Sequence, residues 1–239
     1  MPEFDETVDV LVAGSGGGIA GAYTAAREGL SVALVEATDK FGGTTAYSGG
    51  GGMWFPCNPV LREAGSDDTV DEALAYFHAV VGDRTPRDLQ ETYVRRGAGL
   101  IEYLQADDSF KFTVLPWPDY FGKVPGARLD GLRHIVAVPL RNERLGPDAE
   151  FVRGPLDFDR LGTPAPDRLI GGRALIGRFL AALHRLPNAK LYRNTELVDL
   201  ITEDGAVVGA VVRRDGQLAR NGARGGVLLA AGGSEHNAE

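Results

Sequence analysis

Two glycine clusters, one glutamate and one tyrosine are the parts of this sequence best placed to hold or transform a ligand. Five glycines fall between positions 14 and 21 and six between 42 and 52, out of 33 in a chain of 239 residues. Average usage is about 7% glycine, so this clustering marks backbone that must approach something closely or adopt positive φ. No Gly-X-Y period accompanies it, which excludes a collagen-like chain. Gly14, Ser15, Gly16, Gly17 and Gly18 precede an alanine-rich stretch, and Glu36 stands 22 positions after Gly14. A glycine turn at the start of a helix offers free N–H groups and partial positive charge, which suit a diphosphate. A carboxylate about 20 residues further on accepts hydrogen bonds from a ribose.

The elements that must position these groups follow from local pattern. Val8 to Ala13 is a short β-branched run suited to a buried parallel strand, with Asp9 tolerable at its entry. Ile19 to Gly29 has the composition of a helix with a glycine C-cap. Ser31 to Val35 is a second strand, and Glu36 and Ala37 follow at its tip. Counted from Gly14, the pattern G-x-G-x-x-G meets Ile19 at its last place and fits only in the shifted frame Gly16, Gly18, Gly21. The turn is therefore one residue tighter than usual, or the helix starts later. The alternative is a plain glycine-rich turn in an α/β protein, which would leave Glu36 without a role.

The second cluster, Phe41 to Asn58, discriminates between dinucleotides. A nicotinamide enzyme has no need of two glycine pairs and three hydroxyls directly after the ribose-binding acid. FAD, which runs extended across the sheet, needs close backbone along its whole length. Gly43, Gly49, Gly50, Gly51 and Gly52 supply such backbone, and Thr44, Thr45 and Ser48 supply hydroxyls. Ala46-x-Ser48-x-Gly50 also has the spacing of a nucleophile elbow, but no strand precedes it.

Downstream, Thr69 and Glu72 form a capping box. Val70, Leu74, Phe77 and Val81 give a helical stripe ending at Gly82, and Thr85-Pro86 opens a second helix with a stripe of Leu89, Tyr93, Leu100 and Leu104. His78 beside the first stripe suits packing. Phe110 to Arg128 carries Phe112, Trp117, Tyr120 and Phe121 among three prolines, which is too interrupted for a long helix or central strand. It is either an aromatic wall for a large apolar ligand or a loop packed on its own domain. Residues 141–168 are an exposed, charged excursion. A helix over 172–186 buries Leu175, Phe179, Leu180 and Leu183. A strand near 190–192 leads to a hairpin whose arms, Val198 to Thr202 and Val207 to Arg213, meet at Asp204-Gly205. Gly226 to Ala231 is a last buried strand, followed by Gly232.

Composition narrows the function further. Net charge is −8, which argues against a general nucleic-acid binder. Cys57 is the single cysteine, so no internal disulfide can form and a reducing cytoplasm is expected. There is no 18-residue apolar run to span a membrane, and MPEFDET is not a secretory signal. No metal-ligand spacing links the four histidines (78, 134, 184, 236) or Cys57.

VDVLVAGSGGG, AYTAAREGLSVALVEAT, FGGTTAYSGGGGMWFP, HAVVGDRTP, PWPDYFGKVPGAR, LIGGRALIGRFL and GVLLAAGG together resemble the 3-ketosteroid Δ1-dehydrogenases, within the fumarate reductase and succinate dehydrogenase flavoprotein superfamily. The match runs in order through the chain, and PWPDYFG and the four-glycine run are its most specific parts. The resemblance implies an α/β, Rossmann-like FAD-binding domain over 1–239, with a parallel central sheet, a β-hairpin meander and a helical excursion at about 55–170 bordering the steroid site. It implies FAD contacts at the glycines and hydroxyls named above and at Glu36, Ala37, Val198, Ala231 and Gly232. GGTTAYSGG has no histidine, so FAD is expected to be non-covalent. Tyr120 maps onto an active-site tyrosine supporting a second tyrosine, the base that takes a proton from carbon 2 while hydride leaves carbon 1 for FAD. The electron acceptor would be a compound such as a quinone. Family members are roughly twice as long. The resemblance therefore implies that the steroid domain, the base and the last FAD segment lie outside this chain, leaving a sheet edge or buried face uncovered. An inactive FAD-binding fragment and a fumarate-reductase-like enzyme are the alternatives.

Overall fold

The computed structural model describes residues 3–154, 162 and 167–233. The chain divides into two compact units, one of Met1–Gly49 with Pro139–Glu239 and one of Gly50–Val138.

The first unit is built on a six-stranded sheet. Its strands are β1 (Glu6–Ala13), β2 (Val32–Val35), β8 (Ala189–Tyr192), β9 (Thr195–Glu203), β10 (Ala206–Arg214) and β11 (Gln217–Leu229), in the order β8-β2-β1-β11-β10-β9. β8, β2, β1 and β11 run parallel, while β11, β10 and β9 form an antiparallel meander. Of the parallel strands only β2, the unbroken apolar run VALV, is buried throughout; β8 is half-exposed, and the end of β11, expected as a buried strand, exposes Leu228 and Leu229. Two left-handed pairs, Asp204-Gly205 and Asp215-Gly216, turn the meander. The first is the turn expected from sequence; the second makes β11 far longer than the strand expected over 226–231.

Asp9 is more than a tolerated interruption. Its carboxylate accepts from Ser31 N at 2.8 Å, Ser31 Oγ at 2.6 Å and Arg224 Nε at 2.8 Å, joining β1 to the start of β2 and to β11. The Arg224 and Ser31 bonds hold it well below the usual carboxylate range.

Helix α1 (Gly18–Arg27) crosses from β1 to β2. It closes in a Schellman motif, with Gly29 N on Ala26 O at 3.0 Å and Leu30 N on Ala25 O at 3.1 Å. Tyr23 meets Phe179 edge-on, centroids 5.7 Å apart, on the long helix Gly171–Leu183. That helix is buried nearly all round, rather than on the single stripe expected. Residues 139–152 belong to this unit and not to the excursion. The short strands β6 (Leu140–Arg141) and β7 (Arg168–Leu169) pair, and Phe41 pairs with Val152. Most of the stretch 155–166 and His236 lie outside the described residues.

The second unit holds α2's successors α3 (Pro59–Glu63), α4 (Val70–Val81) and α5 (Arg87–Gln105), and a small sheet ordered β3 (Met53–Trp54), β5 (His134–Ala137), β4 (Phe112–Val114); α2 itself (Gly43–Tyr47) belongs to the first unit. The Thr69–Glu72 capping box is present. Of the stripe expected on α5, Leu104 is buried and the other three residues are not. The buried side is Gln90, Val94, Gly97, Ile101 and Leu104, while Leu89, Tyr93 and Leu100 are exposed. Gln90 fixes this rotation by donating to Gly82 O at 2.9 Å and Thr85 O at 2.7 Å, and Gly97 makes room for Phe55.

The unit is centred on Arg133, which is fully buried. Its guanidinium grips Asp68 through Nε at 2.7 Å and Nη2 at 2.8 Å, and reaches Asp119 through Nη1 at 2.7 Å. Asp119 also accepts from Trp54 Nε1 at 2.7 Å and from Arg128 N at 2.8 Å. Removing one partner of such a buried set strands charges away from water. Arg133→Met should therefore lower unfolding stability in urea by about 3–5 kcal/mol, whereas Asp67→Asn, on the exposed carboxylate that meets Arg128, should change it by less than about 1 kcal/mol. A small effect of Arg133→Met would contradict this account of the unit.

Candidate functional site

The first unit contains a cavity of about 580 Å³ at the carboxyl ends of β1 and β2. This is where parallel α/β sheets place ligands, because helix N-termini and short loops converge there. Gly14, Ser15, Gly16 and Gly17 form one wall, Glu36, Ala37 and Thr38 another, and Gly43, Thr44, Thr45 and Tyr47 a third. Arg153, Thr195, Glu196, Leu197 and the end of β11 through Gly232 complete it.

The turn is the tighter of the two forms allowed by the sequence. Helix α1 starts at Gly18, so the usual third-glycine role falls one residue early. A Cβ on Gly18 would sit 2.8 Å from Val12 Cγ1 and 3.0 Å from Ala230 Cβ. Gly14 has φ +96°, and a Cβ there would overlap the Ala230 carbonyl. Gly17 differs: its φ is −80° and nothing lies within 4 Å of a Cβ built on it. No internal contact requires Gly17 to be glycine, whereas a ligand closely approaching this turn would.

Ser15 joins the walls. Its hydroxyl donates to Glu36 Oε2 at 2.5 Å and accepts from Gly42 N at 2.8 Å. Ser15 N donates to the same carboxylate oxygen at 3.2 Å, and Thr38 N and Oγ1 donate to Glu36 Oε1 at 3.1 and 3.0 Å. A carboxylate has about four acceptor sites, so a ribose hydroxyl would take the place of the Thr38 hydroxyl, while the buried Ser15 bond stays.

The second glycine loop is held from behind. Gly42 (φ +114°) and Gly43 (φ +45°) turn the chain into α2. The helix Gly171–Leu183, here α6, presses its first turn onto α2, and Gly172 N donates to Ser48 O at 2.8 Å. Cβ atoms on Gly171 and Gly172 would overlap the carbonyls of Gly49 and Thr45. These two glycines are part of the site's architecture and were not expected from sequence.

Other expected residues stand elsewhere. Gly18 is packed against β1 and β11 rather than on the wall, and Ser48 and Gly49 lie beyond α2. Leu197, not Val198, lines the cavity; Val198 is exposed. Gly50, Gly51 and Gly52 belong to the second unit, where Gly50 and Gly52 make room for the Trp117 ring. Tyr120 is also in that unit, 89% exposed, with its ring edge-on to Phe121 at 5.3 Å. Cys57 is buried against Asp68 O, and burial pushes its thiol up, which makes it a poor nucleophile. Burial pushes the His134 imidazole below its usual range beside the Trp117 carbonyl.

A family model described as FAD binding domain matches residues 9–239. The chain belongs to this FAD-binding family. It is 38% identical over its whole length to a 3-oxosteroid 1-dehydrogenase of Rhodococcus opacus, covering 46% of that protein. It is 35% identical over 96% of its length to a 4-oxocyclohexanecarboxylate 2-dehydrogenase of Sinomonas cyclohexanicum, covering 44% of that protein. The solved 3-ketosteroid Δ1-dehydrogenase of Sterolibacterium denitrificans, in complex with 1,4-androstadiene-3,17-dione, superposes with a TM-score of 0.84 at 30% identity. That match covers 97% of this chain and 49% of the solved one. The chain spans about half the length of the curated relatives it matches.

The cofactor is FAD, and the residues present fit it. The open space at Gly17, the N–H groups at the starts of α1 and α2, and the acid at the tip of β2 suit a diphosphate and a ribose. Gly17→Ala should leave the melting temperature of the flavin-free full-length protein unchanged and weaken FAD binding about tenfold or more, read by flavin fluorescence. Unaltered affinity would show that no ligand approaches this turn.

Proposed function

We propose that this chain is the FAD-binding part of a dehydrogenase that introduces a double bond between carbons 1 and 2 of 3-ketosteroids. The observation that carries the reading is the whole-length similarity to 3-oxosteroid 1-dehydrogenases, together with a cavity whose walls suit FAD. Bound FAD supplies the hydride acceptor. The first unit orients it through Ser15, Glu36 and the backbone of the two glycine loops. We take the attachment to be non-covalent, because the second glycine loop, GGTTAYSGG, carries no histidine. The exposure of Tyr120 leaves its phenolic oxygen available to a substrate or to a second tyrosine. The exposed Trp117, Phe121 and Leu129 supply apolar surface around it.

We place the protein in the cytoplasm, on its single buried cysteine, and a quinone-type compound as its electron acceptor. Among the described residues no helix is long and apolar enough to cross a membrane. A smaller cyclic ketone is the second reading, favoured by the similarity to the oxocyclohexanecarboxylate enzyme.

Full-length protein should reduce an artificial acceptor when given a 4-ene-3-ketosteroid. Tyr120→Phe should lower kcat about a hundredfold or more with the flavin spectrum retained. Turnover with 4-oxocyclohexanecarboxylate but not with steroid would replace the first reading by the second. Loss of flavin in Tyr120→Phe would make Tyr120 structural.

A further inference from the structure

We propose that Arg153 supplies the countercharge for the diphosphate of FAD, from outside both glycine loops; the inference rests on the FAD reading of the cavity. Three observations lead to it.

The first is an unbalanced charge. Arg133, Arg128, Arg213 and Arg224 each meet a carboxylate. Arg153 is half-buried and meets none among the described residues. Its Nη2 donates to Thr38 Oγ1 at 2.6 Å and its Nη1 to Tyr47 Oη at 3.2 Å, both neutral oxygens. Its Nε is buried with no hydrogen-bond partner. A cation withdrawn from water without an anion is costly, and an anionic ligand removes that cost.

The second is position. Arg153 is on the cavity wall, and among the residues that line the cavity it is the one cation. The charged groups facing it there are Glu36, already engaged by four donors, and Glu196, which is paired with Arg213. In a chain of net charge −8, a dianionic diphosphate entering this cavity needs a local positive potential. The N–H groups of α1 and α2 supply part of it, and Arg153 supplies a full charge.

The third is that the side chain is held ready. A strap over residues 150–153 is tied to the start of the second glycine loop. Phe41 N donates to Phe151 O at 2.7 Å, Arg153 N to Phe41 O at 2.9 Å, and Lys40 Nζ to Glu150 O at 2.6 Å. The guanidinium carbon lies 5.4 Å from the Tyr47 ring centroid, a cation–π contact that adds to its two hydrogen bonds. A positioned arginine fork suits phosphate oxygens better than a mobile lysine does.

The test uses full-length protein stripped of flavin, with FAD, ADP, AMP and adenosine as probes, and the variants Arg153→Gln and Arg153→Lys. Arg153→Gln should weaken FAD and ADP about 10- to 100-fold, weaken AMP less, and leave adenosine unchanged. It should also flatten the salt dependence of FAD binding. Arg153→Lys should recover part of the affinity, and the melting temperature of each variant reports folding separately. Equal losses for adenosine and ADP would overturn the proposal, because Arg153 would then serve the nucleoside or the fold. FAD binding by Arg153→Gln equal to wild type would also overturn it, while leaving the FAD reading intact. Wild-type protein that takes up no FAD would remove both.

Discussion

The hydroxyl of Ser15 is the point on which the site depends. It donates to Glu36 and accepts from Gly42 N, so one oxygen joins the first glycine turn, the tip of β2 and the second glycine loop. These segments are 21 and 27 positions from Ser15 along the chain. The glycines of these loops have no side chains of their own, so the shape of each loop depends on the groups packed against it. For the first loop these are Ser15 and the end of β11, which lies against Gly14 and Gly18. For the second they are Ser15 again and the start of α6, whose two glycines allow backbone to meet backbone. A ligand binding here finds its N–H donors already aimed and loses little freedom in ordering them.

The two units solve the problem of charge differently. In the second unit Arg133 is buried with both its acids, and the set is satisfied internally. Its contribution is to hold Asp68, Asp119 and Trp54 in one arrangement, from which the aromatic loop of Trp117 to Phe121 departs. In the first unit the half-buried Arg153 has, among the described residues, hydroxyl partners and an unbonded Nε–H. The same residue type is structural in one place and poised for a ligand in the other, and the difference lies in whether an acid is within reach.

Much of the cofactor fold was legible in the residues. A β-branched run, a glycine turn, an alanine-rich helix and an acid at a strand tip have few alternative arrangements, and Asp204-Gly205 specifies its turn by left-handed φ. What escaped depended on long-range packing. On α5 the apolar residues fall on two overlapping stripes, and the buried one carries Val94 and Ile101 together with Gln90, bonded to Gly82 O and Thr85 O, and Gly97 against Phe55. The length of β11 was hidden because its first ten residues, QLARNGARGG, are polar and glycine-rich and are made a strand by β10 and β1. Arg133 and Arg153 looked alike in sequence, since the acids of the first and the hydroxyls of the second come from up to 115 positions away. Gly171 and Gly172 could be recognised only from the carbonyls against them.

The central claim is that the Ser15–Glu36 node forms the adenosine-diphosphate end of an FAD site. A crystal structure of the full-length protein loaded with FAD tests it most directly. The account predicts the diphosphate at the N–H groups of Gly16, Gly17 and Thr44, and a ribose hydroxyl on Glu36 in place of the Thr38 hydroxyl, with the Ser15 bond kept. FAD bound elsewhere, with the four internal bonds of Glu36 undisturbed and no ligand in the cavity, would contradict it.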